Sequence, residues 1–305
     1  GAIIHDAISA QFWNETITNY APTITVAYAP MNHFMGRNMV HGALAQGGTA
    51  YFTLRSDMST LFEDFRVVGP TGILFIPRVC ELIYQHYQSE VQRRIAAGET
   101  EDAADAVVRA EMRAHYLGGR LCGGGVGSSP TAPEVRRFLS ECWEMPLIEG
   151  YGCTEAGAAA MTSQNRLTPT MITEFKLIDV PELGYYTTDM PFPRGELLVK
   201  TTKMFQGYFK RPDATASVFS EDGFLKTGDI MEQRGPDELV WVDRRNNVIK
   251  LSQAEFVAVG PLETTYLGNS ALIEQIFLYG SSYRSYLLAV VVPNVALASA
   301  QIGYE

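Results

Sequence analysis

Along the first third of the chain, short apolar runs alternate with amphipathic stretches, the pattern expected when parallel strands are joined by helices. Thr23-Ile-Thr-Val-Ala-Tyr28 and Ile73-Leu-Phe-Ile-Pro77 read as buried strands. Between them Leu61, Phe62, Phe65 and Val68 recur at helical spacing. Asp57 is placed to cap that helix, and Gly69-Pro70 to end it. From Arg78 to about Ala114 the pattern is again helical, broken near Ala97-Gly98, and the acidic run Glu99–Ala103 reads as a solvated face. A strand-like Arg120-Leu-Cys122 leads into a glycine loop, Gly123 to Ser129. Pro133 then opens a helix with Val135, Phe138, Leu139 and Cys142 as its apolar stripe.

The second half reads differently. Residues 163–195 are rich in Thr, Pro and turn signals, followed by strand-like Gly195–Lys200 and Glu238–Val242. The polar run Asp243-Arg-Arg-Asn-Asn247 separates this β-rich section from a last section of about sixty residues that alternates strand and helix signals up to Tyr286–Pro293. The predicted class is α/β with a β-rich section and a smaller α+β end. The predicted division is a large domain over 1–242, a hinge at 243–247, and a small domain from 248 to 305.

Composition adds exclusions. With 305 residues, 46% of them hydrophobic, a sizeable core can form, and neither global disorder nor a disulfide-held mini-protein fits. The 34 acidic against 24 basic residues give a net charge of −10, which opposes a nucleic-acid partner but not a nucleotide brought with Mg²⁺. Cys80, Cys122, Cys142 and Cys153 contain no C-x-x-C pair, and with five scattered histidines they offer no zinc spacing, so they read as reduced thiols of a cytoplasmic protein. No apolar run is long enough to span a membrane. The start at Gly1 without Met suggests a piece of a longer protein.

Three segments carry candidate chemistry. The glycines of Gly123-Gly-Gly-Val-Gly127 let backbone approach a ligand, or serve close packing alone; the third glycine of a dinucleotide fingerprint is missing. In Glu149-Gly-Tyr-Gly-Cys-Thr-Glu-Ala-Gly157, Tyr151 can stack on a base, Thr154 bond a phosphate oxygen and Glu155 hold Mg²⁺; the same residues can equally form a turn with a buried Tyr. Asp222-Gly-Phe-Leu-Lys-Thr-Gly-Asp229 ends in a carboxylate, and Asp243-Arg-Arg-Asn-Asn-Val-Ile-Lys250 supplies cations. A carboxylate accepting both ribose hydroxyls with an arginine beside it suits a nucleoside.

The order of these motifs resembles the adenylate-forming (AMP-binding, acyl-CoA synthetase-like) superfamily. The wording of Lys176–Gly184, Pro193–Lys200 and Asp243–Ser252 is most similar to adenylation domains of carboxylic acid reductases. The resemblance implies an incomplete large adenylation domain with a truncated small one. It implies ATP-dependent activation of a fatty or aromatic acid to an acyl-adenylate, then transfer to a carrier-domain phosphopantetheine thiol. Reduction by an NADPH-dependent domain outside this chain would follow. An acyl-CoA synthetase releasing free acyl-CoA is the alternative enzyme, and a nucleotide-binding remnant the non-enzyme one.

Carried over by position, Gly123, Gly124 and Gly125 form the adenine-side wall, and Tyr151 with Gly152 the adenine site. Thr154 meets the α-phosphate, Glu155 the metal, and Asp229 with Arg244 the ribose. His33, in Pro30-Met-Asn-His-Phe-Met-Gly-Arg37, together with Gly150 and Cys153, lines the acid pocket, the alternative for His33 being a hydrogen-bonded histidine at a strand end; Lys250 serves the thiol-transfer conformation, reached as the small domain rotates about Asn246. The superfamily's phosphate loop and its second catalytic lysine are expected before Gly1 and beyond Glu305, so this piece alone is expected to be nearly inactive.

Overall fold

The computed structural model describes residues 22–127, 131–145, 147–161, 165–167, 172–253, 256–281 and 283–302. They fall into two compact units, Gly1–Glu149 and Gly150–Glu305. The hinge read from the sequence at 243–247 lies inside the second.

The first unit runs β1 (Ile24–Ala27), α1 (Phe34–Ala45), β2 (Thr49–Phe52), α2 (Leu61–Val68), β3 (Gly72–Phe75), α3 (Pro77–Ala96), α4 (Glu101–Glu111), β4 (Gly123–Val126), α5 (Pro133–Trp143) and β5 (Leu147–Glu149). β1 pairs with β2, β3 with β4, and β4 with β5, all parallel. The Thr71 N–H donates to the Ile24 carbonyl at 2.9 Å, and the Tyr28 hydroxyl donates to the Leu74 carbonyl at 2.7 Å, which sets β1 beside β3. The lateral order is therefore 2-1-3-4-5, a doubly wound arrangement in which each parallel crossover is helical. Phe65, Phe75, Val79, Ile83 and Leu139 form its fully buried core.

Local physics explains where elements begin. α2 ends at Gly69, whose φ of 55° gives the left-handed cap that glycine takes at least cost. Asp57 does not cap this helix as the sequence suggested; its carboxylate accepts from the Ser59 N–H at 2.9 Å and closes a local turn, and Thr60 stands at the cap. Pro77 opens α3 rather than closing β3, because its missing N–H costs nothing at a first helical position. The break near Ala97-Gly98 and the solvated face around Glu101 and Asp102 are as expected, the two acids lying in the first turn of α4 where the helix dipole favours them.

The strand expected at Arg120–Cys122 lies three residues later. Gly123–Val126 itself is β4, buried at every position between β3 and β5. A Cβ on Gly124 would stand 2.9 Å from the Phe75 ring, so glycine lets the neighbouring strand's aromatic close over it. Ser128 and Ser129 of the predicted loop lie outside the described residues.

The second unit opens with the hairpin β6 (Tyr151–Cys153) and β7 (Ala158–Met161). β8 (Ile172–Ile178), β9 (Arg194–Thr201), β10 (Leu225–Gln233) and β11 (Leu239–Arg244) form a four-stranded antiparallel sheet in the order 8-9-10-11, with α6 (Pro212–Val218) between β9 and β10 in the chain. β8 falls in the stretch expected to be turns. Leu197, Val199, Leu225, Met231 and Leu239 fill the sheet's buried face. A 3₁₀ turn over Arg245–Asn247 leads to the hairpin of β12 (Val248–Lys250) and β13 (Phe256–Ala258), then α7 (Val259–Asn269), β14 (Ile273–Tyr279), β15 (Leu288–Pro293) and α8 (Val295–Ile302).

Candidate active site

Asp229 sits on β10 where the register with β9 shifts between Lys226 and Ile230. The bulge is built by Gly228, at φ 72°, whose N–H donates to Glu196 Oε1 at 3.2 Å, and by Thr227, whose hydroxyl donates to the Leu197 carbonyl at 2.8 Å. Bulges re-aim side chains. Here the carboxylate turns inward, leaving Asp229 1% exposed. Three side chains serve it: Tyr151 donates to Oδ2 at 2.6 Å, Trp241 Nε1 donates to Oδ1 at 3.4 Å, and Arg244 Nε stands 3.2 Å from Oδ1. Arg244 is its cross-strand partner on β11.

Burial pushes the Asp229 carboxyl above the ordinary range, and Tyr151, Arg244 and Trp241 pull it back. Burial and the adjacent carboxylate push the Tyr151 phenol well above 10, which keeps it a donor at neutral pH.

Thr154-Glu-Ala-Gly157 is the turn of the β6–β7 hairpin, and the end of β9 with the segment after it grips it. Thr201 Oγ1 donates to the Ala156 carbonyl at 2.7 Å, the Phe205 N–H to the Glu155 carbonyl at 2.9 Å, and the Tyr208 hydroxyl to Glu155 Oε1 at 2.9 Å. Gly157, at φ 84°, lies so close to Lys203 that a Cβ would meet its carbonyl at 2.5 Å. Burial and Glu155 push the Tyr208 phenol up.

A cavity of about 440 Å³ opens beside this turn, bounded by Cys153, Glu155 and Tyr208 on one side, Lys226 to Gly228 on another, and Arg244 to Asn246 on a third. Burial pushes the Cys153 thiol up to about 11. Of the residues singled out from sequence, Cys153, Glu155, Arg244 and Asn246 therefore meet at one cavity. Tyr151 and Asp229 lie outside its lining and are joined to it through Arg244, whose side chain is 58% exposed. Thr154 and Gly152 are exposed and Gly150 half-buried, and none of the three lines it. Lys250 ends β12.

Sequence reading missed Tyr208, Glu196 and Arg245. Glu196 is 2% exposed on β9 and takes Arg245 Nη1 at 2.7 Å, while Arg245 also reaches Glu182. A single carboxylate inside the apolar run Gly195–Lys200 was its one signal, since a buried acid demands partners.

In the first unit, His33 caps α1: its Nδ1 accepts from the Met35 N–H at 3.1 Å. That bond assigns the neutral ring's proton to Nε2, leaving an exposed donor. Gly123, Gly124 and Gly125 are the buried β4 strand already described. Glu149, at the end of β5, is ion-paired with Arg136 and accepts from the Thr131 N–H at 3.4 Å.

The sequence profile of the AMP-binding enzyme family matches residues 1–209. The chain belongs to that family. It is 49% identical over 288 residues to a carboxylic acid reductase of Mycobacterium marinum, covering 93% of this chain and 24% of the reductase. It is 33% identical over 296 residues to fatty acyl-CoA synthetase A of Dictyostelium discoideum, covering 89% of this chain and 44% of the synthetase. Its fold superposes on the A-PCP didomain of a carboxylic acid reductase from Segniliparus rugosus in complex with AMP, with a TM-score of 0.88 and 47% identity over 98% of this chain and 41% of that one. The chain spans about a quarter of the length of the curated reductases it matches.

No group of three or more metal-ligating side chains occurs among the described residues. A single carboxylate fits Mg²⁺ nonetheless, because that ion retains waters and takes one or two carboxylates together with substrate phosphates. Glu155 has the chemistry such a site needs: it is a carboxylate lining the cavity, and its bond to Tyr208 uses Oε1. No described helix is long and apolar enough to cross a membrane.

Proposed function

We propose that this chain is part of an adenylation module that activates a carboxylic acid with ATP and passes the acyl group to a phosphopantetheine thiol, for reduction to the aldehyde by an NADPH-dependent domain elsewhere in the protein. The carboxylate oxygen attacks the α-phosphorus, pyrophosphate leaves, and the thiol then displaces AMP from the acyl-adenylate. The meeting of Glu155, Arg244 and Asn246 at one cavity, next to the Tyr151–Asp229 pair, carries this reading. The 49% identity to a carboxylic acid reductase supports the choice of acceptor.

Tyr151, between Gly150 and Gly152, stacks on adenine. Asp229 accepts the ribose hydroxyls on the lone pairs that Tyr151 leaves free, reached as the exposed Arg244 side chain moves aside. Thr154 bonds the α-phosphate. Glu155, together with the nucleotide phosphates, would hold Mg²⁺, which would supply charge neutralisation for the transfer. His33 orients the acid carboxylate through Nε2–H, and Cys153 narrows the acyl pocket. Residues 248–305 belong to a small mobile domain that turns about Asn246, in the hinge 243–247 after the large domain 1–242, to bring Lys250 toward the thiol step.

The 33% identity to a fatty acyl-CoA synthetase supports a second acceptor, free CoA. Incubating the full-length protein with acid and ATP separates the two. Aldehyde formed with NADPH and no added CoA supports the carrier route. Free acyl-CoA, with no aldehyde, supports the synthetase, and neither product refutes both.

A further inference from the structure

Glu155 is held from two directions by one short segment. The Phe205 N–H takes its main-chain carbonyl and the Tyr208 hydroxyl takes its carboxylate, both at 2.9 Å. That segment is itself anchored. The Tyr208 N–H donates to Thr215 Oγ1 at 2.9 Å, so the start of α6 fixes the loop. The Tyr208 ring packs edge-on against Phe205 at 4.9 Å between centroids, and Phe205 stacks on Phe219 at 5.6 Å. Gly207, at φ 137°, permits the approach to Thr215, since a Cβ there would come within 2.7 Å of its methyl.

A free glutamate side chain samples many rotamers, and fixing it costs conformational entropy. A donor on one oxygen settles that cost before a cation arrives. The bond engages Oε1, and among the described residues no side chain bonds to Oε2. Both Glu155 and Tyr208 line the same cavity.

We propose that Tyr208 is a positioning residue that presents Glu155 to the divalent cation accompanying the nucleotide. The role rests on the reading of Glu155 as the metal ligand. Tyr208 makes no metal contact itself; it fixes the carboxylate through Oε1 and leaves Oε2 for the cation. Such outer partners of a metal ligand are worth about 10–100-fold in metal affinity.

The test uses the full-length protein with Mn²⁺ as the probe and a non-hydrolysable ATP analogue, the bound metal being read by electron paramagnetic resonance. Tyr208→Phe keeps the ring and its packing and removes the donor. Mn²⁺ affinity should fall about 10–100-fold, AMP affinity without metal should stay within about twofold, and the apparent KM for Mg²⁺ in pyrophosphate exchange should rise while the KM for the acid holds. Glu155→Gln separates the two layers. If it loses Mn²⁺ while Tyr208→Phe binds the metal as the wild type does, the positioning role is overturned and the metal reading stands. If Glu155→Gln binds Mn²⁺ like the wild type, the metal reading itself fails. Equal loss of metal-free AMP binding and Mn²⁺ binding in Tyr208→Phe would show a general disturbance of the site and also overturn the proposal.

Discussion

The Tyr151 hydroxyl donates to Asp229 Oδ2 at 2.6 Å, across 78 residues of sequence. Two residues with separate expected roles, base stacking and ribose binding, thus form one unit. Tyr151→Phe retains the ring and loses the orienting bond. Hydrogen bonds to charged groups are worth about 1.5–3 kcal/mol. AMP affinity measured by calorimetry should therefore fall by about tenfold or more, and unchanged affinity would separate the two roles again.

Asp229→Asn tests the price of that site in stability. Burial raises the Asp229 carboxyl, so the folded protein holds its proton to higher pH than the unfolded chain does. The stability from this group is complete below the unfolded value and is lost as pH rises through the folded one. At pH 8 the ionised carboxylate opposes folding. Asp229→Asn should melt above the wild type at pH 8, with the difference shrinking as pH is lowered toward 4, and should bind AMP at least about tenfold more weakly.

Gly124→Ala asks whether the glycine strand is needed for packing. The new Cβ would stand 2.9 Å from the Phe75 ring and 3.2 Å from Leu147. Overpacking of this kind costs about 1–3 kcal/mol. Denaturant unfolding should show that loss.

The cysteines should separate by environment. Cys122 is exposed, Cys153 half-buried with its thiol pushed up to about 11, and Cys80 and Cys142 buried. Iodoacetamide at pH 7.5, followed by peptide mapping, should label Cys122 first. Labelling of Cys153 should accelerate by about tenfold per pH unit as its thiolate forms, and AMP should slow it. Cys80 and Cys142 should react after unfolding.

The helices and the inner strands were legible because one period decides them. The stripe Val135, Phe138, Leu139 and Cys142 is buried as read, and Gly195–Lys200 lies within β9. β4 was not legible, since glycine's weak strand propensity reads as a loop until a close neighbour such as Phe75 demands it. β8 escaped because, as an edge strand with Glu174 and Lys176 on it, it mixes charge into its apolar pattern. At the site, motif order pointed to Glu155, Asp229 and Arg244. The contacts of Tyr208 with Glu155, 53 residues away, and of Arg245 with Glu196, 49 away, follow from the tertiary fold and leave no local signal.

Adenylate formation is most directly tested by exchange of labelled pyrophosphate into ATP. With the full-length protein, Mg²⁺ and a panel of aliphatic and aromatic acids, exchange should depend on the acid. It should fall by about 100-fold or more in Glu155→Gln, as expected when electrostatic stabilisation of the transferring phosphoryl group is removed. Exchange that no acid stimulates would contradict the account.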